Sequence, residues 1–205
     1  MPTILLIRHG ENDYVKKGIL PGQTSGIHLN DKGRSQAQAL AERLGQAPII
    51  AIYSSPLERA VETAEPIALA LGLEITIRPG LVETDCGEWQ GKSLKSLRRL
   101  KAWRAVQSTP SLFRFPGGES FAECQARMVN EIEALRLGHE DKDLFACVSH
   151  ADPIRLAVAY YLGLSLDHFQ RLSAAPASIT ALYIGGMGSR LLTLNFDLSF
   201  NMSKP

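Results

Sequence analysis

The sequence predicts an α/β fold, a mostly parallel sheet covered on both faces by helices. Three observations carry that prediction. Short, nearly continuous apolar runs recur along the chain; segments with apolar residues at steps of three and four separate them; and three of the runs end abruptly in polar pairs, Arg8-His9, Ser54-Ser55 and Ser149-His150. An apolar run without alternation reads as a strand buried on both sides, which a sheet between two helical layers provides. The 205 residues show no shift of composition, so residues 1–205 are expected to form a single domain.

The elements follow in order. "TILLIR" at 3–8 reads as a central strand. A long polar loop with Gly18, Pro21, Gly22 and Gly26 as breakers leads to Asn30 or Asp31, an N-cap for a helix whose buried side carries Ala37, Leu40, Ala41 and Leu44. "PIIAIYSS" is the next strand. After it Ser55 is expected to cap a helix, with Pro56 at the first helical position and Glu58 completing a capping box. That helix runs to about Leu71, where Gly72 stops it before the strand "LEITI". Residues 81–91, "LVETDCGEWQG", have no helical period and form a loop or a short irregular strand. "KSLKSLRRLKAWRAV" reads as one basic amphipathic helix whose Leu94, Leu97, Leu100 and Trp103 stripe serves the core or a lid, rather than a nucleic acid or a membrane. "FPGGES" breaks the chain ahead of a long helix with Phe121, Cys124, Met128, Ile132 and Leu135 on one side. "DLFACVSH" is a further buried strand, followed by a helix that Asp152 caps and Pro153 opens; "SITALYIG" and "RLLTLNF" close the chain as strands joined by "GMGS".

Composition narrows the function. Charged residues make up 21% and hydrophobic ones 45%, with 22 Lys plus Arg against 21 Asp plus Glu, so no global charge favours nucleic acid or a membrane surface and any anion site must be local. Cys86, Cys124 and Cys147 are odd in number and form no CxxC pair, which fits a reducing cytoplasm. The first apolar run is too short for a signal-peptide core, and the longest later one, "LAVAYYLGL", is about half a membrane span. His28, His139 and His168 sit at no paired ligand spacing, so neither a metal nor a cofactor is expected.

Ligands of open α/β sheets bind at the carboxyl ends of the strands, where the three polar pairs lie. Arg8, His9, Ser54, Ser55, Ser149 and His150, with Arg59 one turn into a helix, would bring two arginines, two histidines and two helix N-termini to one place. Such a site suits phosphate. A phosphate monoester is close to a dianion at neutral pH, and a unit-charge pair at ~4 Å contributes on the order of 4 kcal/mol at an effective dielectric of about 20. Hydrolysis needs a nucleophile as well, and a neutral imidazole can attack phosphorus; His9, between Arg8 and Gly10, is the first candidate.

"LLIRHGEN", "YSSPLERAVETA", "LVETDCGEWQG", "FPGGES" and "VSHADPIR" stand in the order and spacing of the histidine phosphatase superfamily, also called phosphoglycerate mutase-like, and the chain resembles that family over nearly its whole length. The resemblance implies a three-layer αβα sandwich and a metal-free, two-step phosphoryl transfer. His9 resembles the nucleophile; Arg8, Arg59 and His150 resemble the phosphate pocket; Glu83 resembles the acid that protonates the leaving oxygen. A glutamate near a bound phosphate is pushed toward its protonated form by like-charge repulsion, as a general acid requires.

Several residues keep two readings. Asn12 could hydrogen-bond a phosphoryl oxygen or line the loop. Glu119 and Ser120 could touch substrate, although capping is the simpler role. Asp152, where the family often has glycine, is read as the helix cap; beside a phosphate it would otherwise have to pair with Arg155, orient His150 or act as an acid. Phosphoglycerate mutases of this type resemble a pattern with arginine directly after the glutamate. Here Thr84 follows Glu83 and the chain is short, so a phosphomonoesterase of the histidine acid phosphatase type is expected, with a phosphomutase as the runner-up and a non-catalytic phosphoanion-binding module as a second alternative. The substrate is expected to be a small phosphate ester, and the basic residues of the 15–30 loop, the 98–104 segment and the "FRFPGGES" turn suggest a second acidic group on it. The strand "RLLTLNF" offers an edge through which a homodimer could form.

Overall fold

The protein is described here by a computed structural model of residues 2–186 and 188–197. In chain order it forms β1 (Thr3–Arg8), α1 (Asp13–Lys17), α2 (Asp31–Leu44), β2 (Ile49–Ser54), α3 (Glu58–Leu71), β3 (Ile75–Ile77), α4 (Leu94–Leu97), α5 (Lys101–Ser108), α6 (Phe121–Leu137), β4 (Leu144–Ser149), α7 (Ala151–Tyr161), β5 (Ile179–Gly185) and β6 (Gly188–Phe196). The strands make one sheet in the order β3-β2-β4-β1-β5-β6. β3, β2, β4 and β1 run parallel, whereas β5 and β6 are antiparallel additions. β6 begins three residues after β5 ends, and so short a connection permits only antiparallel pairing.

The sheet separates two apolar cores. Successive residues of β1 point to opposite faces: Leu5 and Ile7 pack with Leu40 of α2 and Ala64 and Ile67 of α3, while Ile4 and Leu6 pack with Met128 and Ile132 of α6 and Ile154 and Val158 of α7. That gives three layers, αβα. A third cluster, with Trp89, Phe113, Phe115, Phe121 and Phe169, sits apart from both and includes Leu97 of α4 and Val106 of α5.

Three local expectations need correction. α3 begins at Glu58 rather than Pro56, and its N-cap, Leu57, makes no side-chain cap bond. Glu58 therefore occupies the first helical position, too early to close a capping box on Ser55, and its carboxylate accepts the Gly26 N–H at 3.0 Å instead. The basic segment is two short helices, α4 and α5, broken at 98–100. The break leaves Leu100 45% exposed and folds Trp103 back against Trp89, with ring centroids 6.2 Å apart. α7 takes His150, not Asp152, as its N-cap residue. α1 was not anticipated, since five residues are too few to show a period; Asn12 caps it by accepting the Val15 N–H at 2.8 Å.

Candidate active site

The sheet order puts β4 between β1 and β2, so their three polar termini lie side by side. Arg8 is level with Ser149, and Ser54 with Val148. The backbone continues the ladder past the strand ends: His9 N–H donates to Ser149 O at 3.0 Å and Ser55 N–H to Val148 O at 2.9 Å. His9 and His150 thus approach with ring centroids 5.1 Å apart. The chain after His9 needs glycine for a steric reason. A Cβ on Gly10 would lie 2.7 Å from Gly33 O at the start of α2, closer than any side chain tolerates.

His9 is buried, and its Nδ1 faces Gly10 O at 2.7 Å. A carbonyl can only accept, so the proton of the neutral ring sits on Nδ1 and Nε2 keeps its lone pair. Burial, with Arg8 and Arg59 nearby, holds the imidazole pKa well below its ordinary 6.5. His150 is held down for the same reasons, burial first and then Arg59. Its Nε2 meets Ser55 Oγ at 2.7 Å, and Ser55 Oγ also accepts the Leu57 N–H at 3.3 Å. A Ser55 hydroxyl that donates to Nε2 corresponds to a His150 proton on Nδ1. Ser55 is therefore a partner of His150 rather than a helix cap.

Arg59 is completely buried in the first turn of α3. Its guanidinium donates to Gly22 O at 2.7 Å and Thr24 O at 3.2 Å, fastening the polar loop over the site. Thr63, one turn further, accepts the Gly10 N–H at 3.0 Å and donates to Arg59 O at 2.7 Å, so it links the loop after His9 to the helix that carries Arg59. Arg8 donates to Ala174 O at 2.6 Å, and desolvation brings its pKa down to about 10, leaving it a cation at neutral pH. Among the described residues, five buried side-chain nitrogens have no hydrogen-bond partner: Arg8 Nε, Asn12 Nδ2, Arg59 Nε, His150 Nδ1 and Arg155 Nε. A buried donor without a partner costs roughly 1–3 kcal/mol, and those of Arg8, Arg59 and His150, the groups nearest His9, suit an oxyanion.

Glu83 supplies the opposite character. It is buried, and desolvation followed by the nearby Asp152 raises its pKa from 4.5 to about 7, against the lowering effect of the Thr84 N–H at 2.9 Å and of the arginines. Its backbone is held by Arg127, whose guanidinium gathers Gly80 O at 2.9 Å, Val82 O at 2.8 Å and Glu83 O at 3.3 Å, and by the Gln23 side-chain amide at 2.8 Å from Glu83 O. Asp152 pairs with Arg155, the second of the roles open to it in the sequence. Glu119 accepts Arg127 at 2.6 Å and the Asp85 N–H at 2.9 Å, while Ser120 forms a capping box with Glu123 on α6; both side chains are committed to structure.

These groups open into a cavity of about 590 Å³ lined by Arg8, His9, Glu83 and Asp152 at one end and by residues of α1, α4 and α5 at the other. Among the described residues, no group of three or more His, Cys, Asp or Glu could hold a metal ion, and no helix is long and apolar enough to cross a membrane. Cys86, Cys124 and Cys147 are free and buried. The structure brings together His9, Arg8, Arg59, Glu83 and His150, which the sequence singles out, while Asn12 caps α1. Sequence reasoning did not anticipate the roles of Thr63, Arg127 and Ser55; for Ser55 the signal was present in its position at a strand end.

Comparison with known proteins agrees with this geometry. A family model described as the histidine phosphatase superfamily (branch 1) matches residues 4–197. The chain is 30% identical over 197 residues to phosphoserine phosphatase 1 of Hydrogenobacter thermophilus, covering 95% of this chain and 92% of that one. It is 32% identical over 194 residues to the 2,3-bisphosphoglycerate-dependent phosphoglycerate mutase of Thermoplasma acidophilum, with coverage of 95% and 92%. Among solved structures, a mycobacterial glucosyl-3-phosphoglycerate phosphatase in complex with VO3 superposes with a TM-score of 0.87 at 28% identity, covering 95% of this chain and 99% of that one.

Proposed function

The chain belongs to the histidine phosphatase superfamily (branch 1), and from that premise we propose that it hydrolyses small phosphate monoesters through a phosphohistidine on His9, with no metal ion required. The observation that carries the reading is the set of unpartnered buried nitrogens on Arg8, Arg59 and His150 beside His9, whose Nε2 keeps its lone pair. In the first step Nε2 attacks phosphorus, the ester P–O bond breaks, and the leaving alkoxide takes the Glu83 proton to depart as an alcohol. In the second step Glu83, now ionised, removes a proton from water; the hydroxide attacks phosphorus, the P–N bond breaks, and inorganic phosphate leaves with His9 restored. The arginines and His150 hold the equatorial oxygens, where charge develops, so the protein itself supplies the stabilisation.

A phosphomutase is the second reading, favoured by the 32% identity to the Thermoplasma mutase. Against it stands Thr84 in the place of the arginine expected after the glutamate. The deciding experiment measures phosphate release from a panel of phosphomonoesters in the presence of a chelator, with acid-labile, base-stable labelling of the protein followed in parallel. Release and labelling that both vanish in His9→Ala support the hydrolase. Interconversion of phosphoglycerates without release would establish the mutase, and neither turnover nor labelling would leave a binding module.

A further inference from the structure

We infer that Arg155 is a specificity-determining residue that binds a carboxylate carried on the leaving group of the substrate; the inference rests on the phosphatase reading above. The cavity continues past the phosphate end. At about 590 Å³ it lies within the ~300–1,000 Å³ typical of ligand sites, so it has room for the body of an ester as well as its phosphate. The charged groups that line it are Arg8, Arg98 and Arg155 against Glu83 and Asp152. In the proposed reaction Arg8 is taken by the phosphate, and Glu83 is protonated when the ester enters. Arg98 and Arg155 then face Asp152 alone, an excess of one positive charge that a single carboxylate balances and a second phosphate dianion exceeds.

Arg155 is the better fixed of those two cations. It sits on α7 a little more than one turn past His150, and its guanidinium carbon lies 5.4 Å from the centroid of the Phe169 ring. Asp152 is its one hydrogen-bond partner among the described residues, through Nη2, and Nε is buried without any partner. A guanidinium carries five N–H donors in one plane, so most of the fork is still to be bonded, and with 24% of its side chain exposed Arg155 can be reached from the cavity. It is also near enough to Arg8 for the two cations to oppose each other, so an anion bound at Arg155 relieves a repulsion as well as satisfying a donor. The basic residues that the sequence puts forward do less. Arg98 is exposed, Lys17 pairs with Asp13 at 3.6 Å, and Arg114 pairs with Glu123. Charges so placed are solvated and contribute little to selectivity. The second acidic group expected from the sequence thus falls to a residue that the sequence offered only as a partner for Asp152.

The test compares 3-phosphoglycerate with the glycerol phosphate of the same configuration, in which a neutral CH2OH replaces the carboxylate and the leaving alcohol is of similar basicity. The quantity read is the ratio of the two kcat/KM values within one protein. Unpairing Asp152 alters the surroundings of Glu83 for both esters alike, and the ratio cancels that change. A charge-assisted hydrogen bond corresponds to about 10- to 150-fold, so we expect a ratio of that size in the unmodified protein and a fall of about tenfold or more in Arg155→Gln. Arg155→Lys, which keeps the charge without the fork, should fall between the two, and Arg98→Gln should change the ratio by less than about fivefold. Release of phosphate with a ratio near or below one overturns the inference while leaving the phosphatase intact. A high ratio that persists in Arg155→Gln, or that is lost only in Arg98→Gln, overturns the assignment to Arg155. No release from any ester overturns the phosphatase reading and the inference with it.

Discussion

Replacing Glu83 by glutamine tests the general acid through two independent quantities. Glutamine has the same shape and still offers an oxygen to the Thr84 N–H, but it can neither donate the catalytic proton nor ionise. Moving the Glu83 pKa from 4.5 to about 7 means that ionising this side chain costs about 3 kcal/mol more in the folded protein than in the unfolded one, at ~1.4 kcal/mol per pH unit. The sign follows from the raised value. Below pH 4.5 the group is neutral in both states and carries no penalty; the penalty grows between pH 4.5 and 7 and is complete above 7. Glu83→Gln is therefore expected to be more stable than the unmodified protein by up to about 3 kcal/mol at pH 8, a rise in Tm of roughly 6–12 °C for a chain of this size, and by less than ~1 kcal/mol at pH 5. The same variant should lose about 10²- to 10⁴-fold in kcat/KM on alkyl phosphates, but far less on an aryl ester whose phenolate leaves without a proton. Urea denaturation at the two pH values and parallel rate measurements on the two esters give all four numbers. Destabilisation at pH 8, or an equal loss of rate on both esters, would refute the assignment.

Asp152 stands second only to burial among the influences that raise Glu83, so Asp152→Asn is expected to move the falling limb of kcat/KM, centred near pH 7 in the unmodified protein, to lower pH; a limb that stays put removes Asp152 from the acid's surroundings. Ser55→Ala deletes the 2.7 Å partner of His150, and a loss of roughly 5- to 150-fold in kcat is expected from a bond of about 1–3 kcal/mol, with KM changed less. Nitrogen-15 spectra should show the His150 proton redistributed between the ring nitrogens in that variant and returned to Nδ1 in Ser55→Thr. An unchanged spectrum would mean that Ser55 does not set the tautomer.

Much of this site could be read in advance because its main residues are tied to strand ends. A buried strand is recognisable from its own composition, and once "TILLIR", "IIAIYS" and "LFACVS" are strands of one sheet, the residues that terminate them must share an edge. Ser55 shows the limit of that logic. Next to Pro56 it looks like a cap, and only the neighbouring position of β4, a long-range fact, gives its hydroxyl to His150. Arg127 is similar: on α6 it reads as an arginine beside an apolar stripe, and nothing local says that three carbonyls of the Glu83 loop will come to it. The 93–107 segment reads as one helix because the Leu94, Leu97, Leu100 and Trp103 spacing continues through the break; packing of Trp103 on Trp89 outweighs that period.

Burial also solves a protonation problem that these residues would face in water. A histidine near 6.5 and a glutamate near 4.5 are in the wrong states together: wherever the imidazole is neutral enough to attack, the carboxyl has already lost the proton it must donate. Desolvation disfavours the charged form of each and so moves the two in opposite directions, His9 well below 6.5 and Glu83 up to about 7. The order inverts, and a window opens below about pH 7 in which His9 is neutral and Glu83 is protonated, the pair of states that the proposed transfer needs. Arg8 and Arg59 reinforce the histidine shift and oppose the glutamate shift, so Asp152 beside Glu83 has a purpose that helix capping does not explain: it offsets the arginines that phosphate binding requires.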